Sequence, residues 1–74
     1  MRSNFEQHDS GWVSLQFLFR PEEIDRLIES LQDLRAGRLG HFHFRCDDFD
    51  DSPGVADVEF STLSSNETEN LQIE

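Results

Sequence analysis

The sequence has no lysine. Its six basic residues are all arginines, and they stand against sixteen aspartates and glutamates, so the 74-residue chain carries a net charge of −10. Such a chain is repelled by nucleic acid and by anionic membrane surfaces, and its natural long-range partner is a cationic protein. Cysteine is almost absent too. With Cys46 alone, no intramolecular disulfide can form, which fits a reducing cytoplasm and excludes a stapled secreted scaffold. No apolar run approaches the roughly 20 residues that span a bilayer. The first ten residues have no apolar centre and include Glu6 and Asp9, so they do not read as a signal peptide. Glycine-rich phosphate loops, nucleophile elbows and internal repeats are also missing, and no enzymatic activity or cofactor is expected.

The chain is short enough to form one domain at most. A domain of this size buries only about 60% of the surface its unfolded chain exposes, which leaves no room for both a large core and a deep pocket. Oligomerisation or a tight partner is a common remedy.

What is present reads as β-α-β-β. Residues 12–19 alternate, with Val13, Leu15, Phe17 and Phe19 on one side and Trp12, Ser14, Gln16 and Leu18 on the other, the pattern of a half-buried strand. A helix follows. Pro21 suits its first turn, and Glu22, Glu23 and Asp25 complement the positive end of its dipole. Ile24, Leu27, Ile28, Leu31 and Leu34 form one apolar stripe, and Gly37 is placed to end the helix in a left-handed conformation. A second strand covers residues 41–46, His41 to Cys46, with Cys46 expected in the core. After an acidic loop and the Ser52-Pro53-Gly54 turn signal, a third covers residues 55–63.

The second and third strands specify their own pairing. An antiparallel hairpin that aligns Phe44 with Val58 and Phe42 with Phe60 also places Arg45 opposite Asp57, His43 opposite Glu59 and His41 opposite Ser61. A slip of one residue would bury the charges, so the pattern fixes the register. The expected fold is α+β, a small three-stranded sheet with one helix packed on one face. Residues 1–10 are expected to be loose, 11–63 to form the domain, and 64–74 to be an acidic flexible tail. The uncovered sheet face would carry Trp12, Ser14, Gln16, Leu18, His41, His43, Arg45, Asp57 and Glu59, and the apolar Trp12 and Leu18 favour contact with another chain.

Two further chemistries can be weighed. His41 and His43 point the same way and could share a zinc ion with Glu59, but a closed site wants four ligands, and Cys46 faces the other side of the strand. A polar recognition face is the better reading. The loop Asp47-Asp48-Phe49-Asp50-Asp51 lacks the ligand spacing of a calcium loop. It reads as a docking point for an arginine- and lysine-rich partner, with Phe49 as an anchor.

Three features in order are similar to small bacterial immunity proteins of polymorphic toxin systems, in particular a short type with a Gly-His-x-His motif. They are a first strand with a leucine-rich helix, the segment Gly40-His41-Phe42-His43, and the Ser52-Pro53-Gly54 turn leading into Asp57-Val58-Glu59-Phe60. The aspartate-rich turn Asp47 to Asp51 also suits that family, whereas Arg45 and Cys46 depart from its pattern. The resemblance covers roughly residues 12–63. It implies a cytoplasmic protein that binds and neutralises a cognate toxin, through His41, His43, Arg45, Asp57 and Glu59 with the acidic loop and Trp12. A homodimer pairing its open sheet faces is the alternative, and a His-based metal-binding protein a third.

Overall fold

The computed structural model describes residues 1–46 and 54–74. Five elements follow in the order β1 (Arg2–Gln7), β2 (Val13–Leu18), α1 (Pro21–Arg35), β3 (His41–Arg45) and β4 (Asp57–Ser61). The α+β class is as expected, but the three-stranded sheet is not formed. β1 pairs antiparallel with β2, and β3 pairs antiparallel with β4, in two separate two-stranded sheets.

The correction traces to residues 1–10. Expected to be loose, they contain β1, which pairs Phe5 with Leu15 and Glu6 with Ser14. The cross-strand bond from Asn4 Nδ2 to Gln16 Oε1 is 2.9 Å long. The chain reverses where His8 N–H donates to the Trp12 carbonyl at 2.8 Å and Gly11 N–H to the His8 carbonyl at 2.9 Å, with Gly11 at a φ of 90°. Asp9-Ser10-Gly11 before an apolar run is a hairpin turn signal. It goes unread in the sequence because β1 itself has only Phe5 as an interior apolar residue.

The helix starts as its sequence dictates. Pro21 sits in the first turn. Glu23 accepts a hydrogen bond from Arg20 N–H at 2.9 Å while its own N–H donates to the Arg20 carbonyl at 2.9 Å, so two groups of the helix start are satisfied locally. Glu23 also takes the amino terminus of Met1 at 2.5 Å. At the other end Gly37 has a φ of 78°. Arg38 N–H reaches the Asp33 carbonyl at 2.9 Å and Gly37 N–H the Leu34 carbonyl at 3.2 Å, the paired bonds of a Schellman stop.

The core is a cluster of phenylalanines. Phe44 touches Phe17, Phe19, Phe42 and Phe60 with ring centroids 5.8, 5.6, 6.3 and 4.8 Å apart, and Phe42 stacks on Phe60 at 4.8 Å. The helix lies on β3 and brings Leu34, the one buried apolar residue among those described, to 8% exposure. Leu27 and Val58 are half-buried, but much of the rest of the expected core is open. Val13 and Leu15 on β2 are 46% and 50% exposed, and Ile24, Ile28 and Leu31 on the helix 42–48%. Their apolar stripe is intact, but β3 and β4 are too narrow to cover more than half of it. Cys46, expected inside, is exposed; it lies one residue past the end of β3, and its N–H donates to the Ala56 carbonyl at 3.0 Å. Residues 64–74 contain no helix or strand. At their start Ser64 Oγ donates to Glu67 Oε1 at 2.6 Å, and with the Ser64 N–H this holds the Glu67 carboxyl below its usual range.

Candidate protein-recognition face

The β3–β4 hairpin adopts the register its sequence specifies: His41 opposite Ser61, Phe42 opposite Phe60, His43 opposite Glu59, Phe44 opposite Val58 and Arg45 opposite Asp57. One face joins the phenylalanine cluster, so the other must present His41, His43, Arg45, Asp57, Glu59 and Ser61 together.

His43 is the centre of that row. Its Nδ1 lies 2.9 Å from Asp57 Oδ1 and its Nε2 lies 3.7 Å from Glu59 Oε1. Arg45 Nε donates to the same Asp57 oxygen at 3.2 Å, and Ser61 Oγ donates to Glu59 Oε2 at 2.8 Å. The His41 ring meets the His43 ring edge-on, with centroids 5.0 Å apart. The closest pairing of His43 is therefore diagonal, to Asp57, and not to Glu59 directly opposite. A diagonal neighbour is within reach of a long or aromatic side chain on a twisted hairpin, which cross-strand alignment on paper does not show. The imidazole is 17% exposed while Asp57 and Glu59 are about half exposed. The histidine is thus fixed by its neighbours, and the carboxylates keep oxygens turned to solvent.

A cleft of about 340 Å³ runs along the side of β3 that pairs with no described strand, and Phe19, Glu23, Arg26, Leu27, His43 and Arg45 are among the residues that line it. Glu23 and Arg26 reach this cleft from the helix. Sequence reasoning missed both, since their three-residue spacing puts them beside the apolar stripe and says nothing of which strand that stripe meets.

Trp12 is not part of this face. It lies 78% exposed at the turn of the other hairpin, five residues of extended chain, or roughly 16 Å, before Phe17. Asp47, Asp48, Phe49, Asp50 and Asp51 lie outside the described residues. Both ring nitrogens of His43 face carboxylates, and among the described residues there is no group of three or more His, Cys, Asp or Glu side chains able to hold a metal ion. Among them, too, no helix is long and apolar enough to cross a membrane. The arrangement can act as a patterned row of donors and acceptors on a narrow hairpin.

Comparison with known proteins gives no match: no family model fits the chain, and no curated protein or solved structure matches it.

Proposed function

We propose that the chain is a non-enzymatic protein-binding module, an immunity protein that neutralises a cognate toxin through the β3–β4 face and the acidic segment Asp47-Asp48-Phe49-Asp50-Asp51 that lies between its strands in sequence. The observation that carries this reading is the distribution of charge. Residues 1–20 hold two arginines and two carboxylates, whereas residues 21–74 hold four arginines and fourteen carboxylates. The whole excess of −10 therefore sits on the part of the chain that contains the recognition face. Concentrated charge of one sign steers an oppositely charged protein to the site and suppresses wrong partners. The row of His41, His43, Arg45, Asp57 and Glu59 then supplies short-range donors and acceptors, and Asp57 and Glu59 are the oxygens a toxin's cationic groups would meet. The resemblance in Gly40-His41-Phe42-His43 and Asp57-Val58-Glu59-Phe60 supports the same reading, as does the lack of a built catalytic constellation in the sequence. A cytoplasmic location goes with it.

The test is genetic. Co-expression with the product of the adjacent gene should rescue growth from that product's toxicity, and the two proteins should co-purify in a salt-sensitive complex. An Asp57→Arg, Glu59→Arg double variant should lose both rescue and co-purification while remaining folded. Failure of the unaltered chain to rescue growth or to bind would sink the proposal.

A further inference from the structure

We infer that two copies of this chain associate through the β1–β2 hairpin, the open half of the helix stripe of each copy covering the apolar hairpin face of the other. This surface is distinct from the β3–β4 face, and the inference stands whether or not a toxin is bound.

The register of β1 and β2 puts Phe5, Val13, Leu15 and Phe17 on one face. Phe17 is held by Phe44, but Phe5, Val13 and Leu15 are each 40–50% exposed. A two-stranded hairpin is marginal by itself, and its apolar face needs a second layer. The only helix of the described chain is spent on β3, and it too leaves Ile24, Ile28 and Leu31 in water. Each copy therefore has one uncovered sheet face and one uncovered helix stripe, the two layers that ordinarily pack on each other.

The chain has apolar surface left to cover. The chain exposes 6972 Å², where a closed monomer of 8.6 kDa exposes roughly 4,700 Å². Its radius of gyration is 14.4 Å, against about 11 Å for a compact chain of this length. The half-exposed Phe5, Val13 and Leu15 on the hairpin and Ile24, Ile28 and Leu31 on the helix are part of that excess.

Charge selects the occupant and the geometry. Helix against helix, or one β3–β4 face against another, would set acidic surface on acidic surface in a chain of net charge −10. Helix against hairpin does not, because residues 1–20 are balanced at two arginines and two carboxylates. A two-fold axis makes both contacts at once, so the pair closes and leaves neither patch to recruit a third copy.

Sedimentation equilibrium of the full chain tests this. At about 100 µM the mass should be twice 8.6 kDa, and it should persist at about 0.5 M salt, where exposed charges are screened. Leu15→Glu on the hairpin and Ile28→Glu on the helix should each return the mass to that of one copy with the helical circular dichroism retained. In a Cys46→Ser background, Leu15→Cys and Ile28→Cys variants mixed under mild oxidation should form a crosslink between the two variants in preference to either with itself. A single-copy mass in both salts overturns the inference, as it would if the chain's own Leu71 and Ile73 covered the face. A dimer that neither glutamate variant disturbs, or crosslinks confined to like with like, overturns it as well.

Discussion

Phe44 is the residue on which the two halves of the molecule meet. Its ring touches Phe17 of β2 and Phe19 just beyond that strand, and Phe42 and Phe60 from the other sheet. The two sheets share no backbone ladder, so such ring contacts take the place of strand pairing. Phe44→Ala should cost about 2–3 kcal/mol, below the 3–5 of a fully buried phenylalanine because the ring is half-buried. That is a large part of a small domain's stability, and a urea titration should show the midpoint fall. Glu23 governs a different property. Its carboxyl is held below the usual range first by the hydrogen bond from the amino terminus and then by the Arg20 N–H, with desolvation opposing. A carboxyl whose folded pKa is depressed adds stability that is fully present above its ordinary value of 4.5, and that contribution is lost as pH falls through the folded value. Glu23→Gln should therefore lower Tm at about pH 6 and do so by less at about pH 4, below the ordinary carboxyl value. An equal effect at both pH values would show that the bond to Glu23 is not charge-dependent.

The helix stop shows what one glycine does for an element. Gly37 has a φ of 78° and nothing within 4 Å of where a Cβ would lie. An alanine there is penalised by backbone conformation alone, and Gly37→Ala should cost about 1–2 kcal/mol. Gly40, with equal space and no left-handed backbone, serves as the comparison: Gly40→Ala should leave the thermal midpoint unchanged or slightly raised. Elements of this kind are legible in the sequence. The helix bounds follow from Pro21, the stripe and Gly37, and the β3–β4 register follows from alternation, because one shift of that hairpin would bury charges. β1 is not legible for the opposite reason. Ser3, Asn4, Glu6 and Gln7 pair with β2 through a backbone ladder that is indifferent to side chains, and a lone Phe5 carries no period. The candidate site divides in the same way. His41, His43, Arg45, Asp57 and Glu59 are brought together by alternation within one hairpin, whereas Trp12 is tied to them only if its strand joins theirs in a three-stranded sheet, which does not form, and Glu23 and Arg26 enter from a helix whose docking strand no local pattern states.

Across the whole molecule, burial and charge are separated. Residues 1–20 are electrically balanced and apolar on one face, and residues 21–74 hold the entire excess of −10. Folding one copy alone leaves Leu15, Ile28 and their neighbours in water while packing like charges closer together, so a lone chain gains little apolar burial against its self-repulsion. If a second copy supplies the missing layer, folding and association are linked, and the apparent stability depends on protein concentration. Thermal melts at about 1 and 100 µM should then differ, with the higher Tm in the concentrated sample. Salt should act in the same direction. Raising it to about 0.5 M shortens the Debye length to a few ångströms and relieves repulsion within the acidic half, while leaving the apolar contact intact. The two effects are separable in one variant. Leu15→Glu removes the concentration dependence and keeps the rise with salt. Melts of the unaltered chain that superimpose across that hundredfold range would mean that each copy reaches its full stability alone, and that the exposed hairpin face is covered without a partner.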